Sequence, residues 1–174
     1  MRMLSIHADY ILINPLTKAL KSAEELKDKN EEKIEECLVL FTSIEKSDEA
    51  APPGKLAEAY KKEVDSLSAQ VKCKNIVIYP LVHLTSAPSS PAFALEALGA
   101  IEHSLSARAM CEAHSIGKIV ADGGYQVHTA PFGWYKGYTL KCKGHPLSEL
   151  SREIKVAGGE EGESERIAKH LDRV

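Results

Sequence analysis

The sequence lacks the features that identify membrane proteins, zinc proteins and disulfide-linked secreted proteins. No apolar run approaches the roughly 20 residues that a membrane-spanning helix needs. The N-terminal stretch is too short and too polar for the apolar core of a secretory signal. The four cysteines, Cys37, Cys73, Cys111 and Cys142, form no C-x-x-C pair, and no H-x-x-x-H pair accompanies them. We therefore predict a cytoplasmic protein with free thiols and with no metal ion or other cofactor.

The signatures of the common catalytic sites are missing as well. The sequence contains no Gly-x-Ser-x-Gly turn of a serine hydrolase, no Gly-x-x-x-x-Gly-Lys phosphate loop and no His-Glu-x-x-His zinc helix. A reactive site, if the chain has one, must therefore be assembled from side chains that lie far apart in the sequence.

A strong overall basic charge is also absent, since the net charge is −3. The length of 174 residues and the hydrophobic content of 44% are ordinary for one soluble domain with a real core. Between residues 130 and 156, however, five positive residues accompany only two negative ones. This stretch predicts either a local basic surface for a polyanion or a mixed surface without a ligand. The positive residues are Lys136, Lys141, Lys143, Arg152 and Lys155.

Five stretches have the alternation or the continuous apolar character of strands. Pro15 is expected to end the first strand, with a short return strand over 17–20. Residues 22–36 are expected to form a loop or a loosely held helical turn. The stretches 125–129 and 135–142 flank a Pro-Phe-Gly turn and are predicted to form a hairpin. The predicted strands are 2–14, 37–45, 75–79 and the two arms of this hairpin.

Two further stretches have helical spacing. From 54 to 72, apolar residues recur every three or four positions and predict one buried stripe. The second helix begins at Ser89-Ser90-Pro91, with a serine cap and proline in the first turn, and Gly117 is a plausible end. The resulting order predicts an α/β fold, in which one mixed sheet is covered by two main helices. Residues 1–156 would form the domain, and 157–174 a linker or tail.

Three titratable residues stand out as site candidates. Strand alternation places Lys136 on the side of Tyr138 and Leu140, so its amine either reaches past a ring to water or lies partly buried beside a carboxylate. His83 lies between a buried strand and a helix start, where open α/β sheets bind ligands, although it could simply cap a turn. Glu149 follows Lys136 by thirteen positions and a Gly-His-Pro turn, and is expected to fold back towards it.

Four segments together resemble the N-terminal editing domain of archaeal threonyl-tRNA synthetases. They are Met-Arg-Met-Leu-Ser-Ile-His-Ala-Asp-Tyr at the start, the stretch from Tyr79-Pro80 to His83-Leu84, Ala-Pro-Phe-Gly-Trp-Tyr-Lys from Ala130, and Cys-Lys-Gly-His-Pro-Leu-Ser-Glu-Leu-Ser from Cys142. The resemblance extends in order over about 1–154. It implies a fold similar to that of D-aminoacyl-tRNA deacylases, a homodimer, and hydrolysis of serine wrongly attached to threonine tRNA. The aminoacylation domain would be fused or carried on a separate chain.

The resemblance also implies roles for individual residues. The catalytic set is Lys136, His83, Glu149 and Tyr135, in which Lys136 stabilises negative charge or positions water, Glu149 anchors Lys136, and His83 orients the substrate or shares a proton. The substrate-binding set is Ile44, Pro80, Val82 and Phe132, with the Ile44 main chain near the substrate amine. No metal is implied.

This chain departs from the family pattern in three places. Val82 replaces a smaller residue, Trp134 stands where tyrosine is usual, and 107–128 is longer than expected. Two alternatives stay open: a D-aminoacyl-tRNA deacylase with the same fold, and a non-catalytic module for tRNA binding or dimerisation.

Overall fold

The computed structural model describes residues 1–106 and 124–156. The predicted tail at 157–174 lies outside these residues. The predicted helix end at Gly117 is wrong, because the helix that begins at Pro91 ends at Leu105 and Ser106 has an extended backbone. The elements, in chain order, are β1 (Arg2–Lys18), β2 (Glu32–Ser43), α1 (Pro53–Val71), β3 (Asn75–Pro80), α2 (Pro91–Leu105), β4 (Gln126–Thr129), β5 (Trp134–Cys142) and β6 (Glu149–Glu153).

The six strands form one mixed sheet in the order β4-β3-β2-β1-β5, with β6 paired to β1 beyond the end of β5. β3 runs parallel to β2 and to β4, and all other pairs are antiparallel. The predicted fold class, a mixed sheet with two main helices, is therefore confirmed. Within the described residues, neither helix combines the length and the apolar character needed to cross a membrane.

The first strand is longer than predicted, because Pro15 does not end it. The strand continues to Lys18, and Pro15 lies opposite Lys136 of β5. Its pairing with β2 stops at Ile13, so the missing N–H of Pro15 leaves no ladder partner unpaired on that side. The predicted return strand at 17–20 is wrong for the same reason. β2 in turn begins at Glu32, inside the predicted loop, because the backbone of this segment pairs with β1. Its exposed Lys and Glu side chains give no strand signal in the sequence.

The predicted hairpin of the stretches 125–129 and 135–142 is also wrong. β4 pairs with β3, whereas β5 pairs with β1 at the other end of the sheet, and only residues 130–133 connect them. So short a connection requires a curled sheet. The rings of Tyr79 on β3 and Tyr138 on β5 lie 5.4 Å apart, although three strand spacings of about 4.8 Å would separate them by roughly 14 Å in a flat sheet.

Curling divides the core into two parts. Both helices cover the outer face of the sheet, where α1 contributes the fully buried Tyr60 and α2 the fully buried Ile101. α1 ends at Lys72 in the left-handed conformation, and Ser90 caps α2 by accepting a hydrogen bond from the Phe93 amide. The inner face forms a second cluster within the curl. Its buried members are Ala8, Ile11, Ile13, Ile34, Cys37, Val39, Phe41, Val77, Tyr79 and Ala130.

Candidate functional site

A cavity of about 380 Å³ lies at the open end of the curled sheet. The ends of β2 and β3 form its floor, and the turn Val82–Leu84, the start of α2 and the 130–133 connection form its walls. The carboxyl ends of parallel strands meet here, which is where ligands of α/β sheets bind. Seven of the eight predicted site residues line this cavity: Lys136, His83, Tyr135, Ile44, Pro80, Val82 and Phe132.

Lys136 enters the cavity from β5 as a partly buried amine. Its Nζ donates hydrogen bonds to the carbonyl oxygens of Pro131 at 2.9 Å and Trp134 at 3.1 Å. Among the described residues, no carboxylate lies within ion-pair distance of it. An ammonium has three N–H donors, so one remains for a ligand. Burial lowers the pKa of Lys136 to about 8, because desolvation penalises the charged form.

The predicted partial burial of Lys136 is confirmed, but the carboxylate predicted beside it is wrong. In the described part of the chain its amine contacts two main-chain carbonyls and an aromatic face instead. Its Nζ lies 5.1 Å from the centroid of the Tyr79 ring. That ring contacts Phe41 at 5.0 Å and Tyr138 at 5.4 Å between centroids. These aromatic side chains were not predicted as site residues, although Tyr79 at the end of a buried strand and Tyr138 on the face of Lys136 were visible signals.

His83 lies exposed in the turn that follows β3. The turn is fixed to the end of β2, because the Leu81 amide donates to the Thr42 carbonyl at 2.9 Å and the Ser43 hydroxyl donates to the Leu81 carbonyl. In the part of the chain that the structure describes, no hydrogen bond uses the His83 ring. The backbone is thus held while both ring nitrogens stay available to a ligand.

Glu45 connects the turn that carries His83 to the N-terminal strand. Its carboxylate accepts hydrogen bonds from the Thr85 hydroxyl at 2.7 Å and from Arg2 at 2.9 Å, and it lies 3.3 Å from the Met1 ammonium. Burial alone would raise the pKa of Glu45, but these partners outweigh it and lower the pKa. The carboxylate therefore stays charged and ties the turn that carries His83 to the first strand.

The remaining predicted residues contribute in different ways. The Ile44 side chain is buried in the helix-side core, and its carbonyl accepts a hydrogen bond from the Ser89 amide at 3.0 Å. Phe132 packs against the same core. Val82 and Tyr135, by contrast, are 52% and 63% exposed and form the rim of the cavity.

The 130–133 connection also contacts residues 19–24, which the sequence did not indicate as part of the site. The Gly133 carbonyl accepts hydrogen bonds from the Ala19 amide at 2.8 Å and the Leu20 amide at 3.0 Å. The buried Trp134 indole donates to the Glu24 carbonyl at 3.0 Å. Ala19 and Leu20 thereby become part of the cavity wall, and Trp134 acts as their anchor.

Glu149 is the one predicted site residue that the structure separates from the others. It lies opposite Ile6 on β1, whereas Lys136 lies opposite Pro15. Nine positions along a strand correspond to roughly 30 Å. The cause is the intervening turn, in which the Lys143 amide donates to the His7 carbonyl and the His7 amide donates to the Ser148 carbonyl. The chain therefore continues along the same edge, and the expectation that Glu149 folds back to anchor Lys136 is wrong.

Of the two surfaces predicted for residues 130–156, a basic one and a mixed one, the structure shows the mixed one. Lys141 and Lys143 pair with Asp9, and Lys143 also pairs with Glu36. Arg152 and Lys155 pair with Glu63 and Glu153 respectively. Of the five positive residues in this stretch, Lys136 is the one without a carboxylate partner in the described residues, and it points into the cavity.

Other reactive groups lie away from the cavity. Cys37 and Cys73 are buried elsewhere, and burial raises the pKa of the Cys37 thiol to about 12, so it stays protonated. In residues 1–106 and 124–156, no three side chains of His, Cys, Asp or Glu come together as metal ligands would. The arrangement can therefore offer an ammonium, an imidazole and phenol groups to a small ligand.

Known proteins that are similar to this chain indicate its family. Residues 1–154 match the model of the archaea-specific editing domain of threonyl-tRNA synthetase. The chain is 40% identical over 167 residues to a threonine–tRNA ligase of Methanopyrus kandleri, and 41% identical over 169 residues to one of Thermococcus gammatolerans. These matches cover 96% and 97% of this chain but 24% of each relative, so the chain spans about a quarter of the length of the curated relatives it matches. The predicted resemblance is confirmed: the chain belongs to the family of archaea-specific editing domains of threonyl-tRNA synthetase.

Proposed function

We propose that this domain hydrolyses the ester bond of L-serine that has been wrongly attached to threonine tRNA. Family membership supports an editing reaction. The observation that carries the chemistry is the partly buried Lys136 amine, which has one free N–H, no carboxylate partner among the described residues, and an apolar cavity in front of it.

Lys136 acts as the electrostatic group of the reaction. Water attacks the ester carbonyl, and negative charge develops on the carbonyl oxygen. An ammonium in a poorly solvated cavity stabilises this charge far better than one in water. Because the carbonyls of Pro131 and Trp134 fix its direction, the amine needs no rearrangement as the charge develops.

The proton of the attacking water requires a second group. His83 lines the same cavity with an unengaged ring, so it orients the substrate or shares this proton. Tyr135 lies beside Lys136 at the rim of the cavity. A ribose hydroxyl of the terminal adenosine of the tRNA can help to activate the water, so no protein base is required.

Serine and threonine differ by one methyl group, which a hydrophobic pocket distinguishes by only about 1–3 kcal/mol. The cavity of about 380 Å³ exceeds a hydroxymethyl group, so it would hold the aminoacyl ester and part of the ribose. Exclusion of threonine would then depend on the walls nearest the side chain, to which Pro80 and Phe132 contribute. The Ile44 main chain would lie near the substrate amine, as the family resemblance implies.

The partners follow from the same proposal. The substrate is the 3′ end of threonine tRNA in the cytoplasm, and the aminoacylation domain is fused to this domain or carried on a separate chain. We further propose a homodimer, as the family resemblance implies. Light scattering of the purified chain would test this state, and a monomeric mass at micromolar concentration would contradict it.

The decisive experiment measures deacylation of seryl-tRNA specific for threonine. Lys136→Met should lose on the order of 10²-fold or more in rate, because one preorganised donor is removed. The matched control is Lys141→Met, which removes a lysine from the same strand that instead pairs with Asp9. Equal rates for wild type and Lys136→Met would remove this amine from the chemistry.

The same assay separates the two alternatives. Hydrolysis of a D-aminoacyl-tRNA in preference to L-seryl-tRNA would identify a D-aminoacyl-tRNA deacylase. Salt-dependent binding of tRNA without hydrolysis of either ester would identify a non-catalytic module.

A further inference from the structure

Lys136 is a partly buried ammonium whose hydrogen bonds go only to neutral carbonyls. A buried ammonium normally has a carboxylate to offset its desolvation. Here the described surroundings supply two neutral carbonyls and the face of one ring, that of Tyr79, at 5.1 Å from Nζ to centroid. The titratable groups that line the same cavity are Tyr79, Tyr135, Tyr138 and His83, from β3, β5 and the turn after β3.

The Tyr79 ring is held in place by burial and by two neighbouring rings. It is 2% exposed and contacts Phe41 at 5.0 Å and Tyr138 at 5.4 Å, so its plane is set by two neighbouring rings from β2 and β5. Burial and the neighbouring Tyr138 raise the pKa of Tyr79 to about 12, so the phenol stays neutral. It therefore offers Lys136 the negative face of an aromatic quadrupole and not a charge.

We propose that Tyr79 is a positioning residue for Lys136: its ring face replaces the carboxylate partner, holding the ammonium in the cavity while leaving its third N–H free for the substrate. This inference rests on the proposed function for its catalytic consequence. A carboxylate in the same place would also attract the ammonium, but it would oppose negative charge developing on the ester oxygen. An aromatic face supports the cation without adding a negative charge to the site.

Two substitutions separate the ring from the hydroxyl. Tyr79→Phe keeps the aromatic face and should keep both the titration of Lys136 and the deacylation rate near wild type. Tyr79→Leu removes the face, so the midpoint of Lys136 should move down by roughly one pH unit. In deacylation, the high-pH limb should move by the same amount, and kcat should fall more than KM rises.

The control is Phe41→Leu, which removes a ring of the same cluster that contacts Tyr79 without lying over Lys136. If the effect were general loosening of the aromatic cluster, this variant would shift Lys136 as much as Tyr79→Leu does. Circular dichroism and thermal unfolding of all variants establish that each is folded before titration.

The titration is read from the ¹³Cε resonance of Lys136, identified by its absence in Lys136→Met, and it needs no activity. An unchanged midpoint in Tyr79→Leu, or equal shifts in Tyr79→Leu and Phe41→Leu, would overturn the positioning role. Loss of the proposed function would show itself differently, as absence of seryl-tRNA hydrolysis by the wild-type protein whatever the titration gives.

Discussion

Lys136 and Pro131 are joined by a hydrogen bond of 2.9 Å from the lysine amine to the proline carbonyl. The bond closes the four-residue connection through which the two edges of the curled sheet meet. The group proposed for chemistry therefore also stabilises the wall of its own cavity. Fold and reactivity are coupled at this point, and several measurable consequences follow from that coupling.

The first consequence is the pH dependence of the reaction. With a pKa of about 8, Lys136 is an ammonium below that pH and a neutral amine above it. If the ammonium stabilises the oxyanion, the enzyme-dependent rate, corrected for spontaneous ester hydrolysis, should fall as pH rises through about 8. A rate that instead rises through the same pH would mean that the neutral amine acts as a base.

The second consequence concerns stability. The pKa of Lys136 falls from 10.5 to about 8 on folding, so the folded state binds fewer protons between these values. The charging cost is present in full below pH 8 and disappears as pH rises towards 10.5. Lys136→Met should therefore stabilise the fold near neutral pH by about 1–2 kcal/mol, since the lost carbonyl hydrogen bonds offset part of a shift worth 1.36 kcal/mol per unit.

Urea unfolding at several pH values measures this effect. The gain from Lys136→Met should shrink as pH approaches 10.5, because wild type then no longer carries the buried charge. Lys141→Met serves as the reference, since loss of its exposed pair with Asp9 should change stability by less than about 1 kcal/mol at any of these pH values. Destabilisation by Lys136→Met near pH 7 would contradict the charging cost.

The third prediction concerns Asp48. Its carboxylate lies 2.8 Å from the Met1 ammonium, and both groups are buried. Asp48→Asn would leave that ammonium with Glu45 at 3.3 Å and the Ile154 carbonyl at 3.0 Å. Since one carboxylate remains, stability should fall by about 3 kcal/mol, the lower end of the typical cost of breaking a buried pair. Lys46→Met is the control, because it breaks the neighbouring exposed pair with Glu49. Similar thermal unfolding of the two variants would show that the Met1–Asp48 pair is not important for stability.

Local patterns predicted α1, the start of α2 and the central strands well, because those signals depend on near neighbours. The stripe from Leu56 to Val71 and the cap at Ser90 match the structure to within a residue or two. The errors occurred where pairing between distant segments decided the structure. Pro15 was expected to break a strand that β5 holds in place, and β4 was expected to pair with β5, although β3 is its partner.

The same difference between local signals and long-range pairing explains which site residues could be predicted. Seven of the eight predicted residues line one cavity, since the resemblance carries information about the whole fold. Glu149 was misplaced because the course of the chain after Lys143 depends on backbone hydrogen bonds to His7, which leave no mark in local sequence. Tyr79 was missed because it reads as an ordinary core residue until the curl of the sheet brings β5 over β3.

The last prediction tests whether the 130–133 connection must keep its shape for function. Gly133 has φ of +75°, and a Cβ there would lie 2.9 Å from the Ala23 Cβ, so alanine would strain the backbone and push away residues 19–24. Gly133→Ala should lower stability by about 1–3 kcal/mol and raise KM for seryl-tRNA, because the cavity wall moves. Gly137→Ala, on β5 with open space around its Cβ, should leave KM unchanged. Equal KM values for the two variants would mean that the wall formed by Ala19 and Leu20 does not contact the substrate.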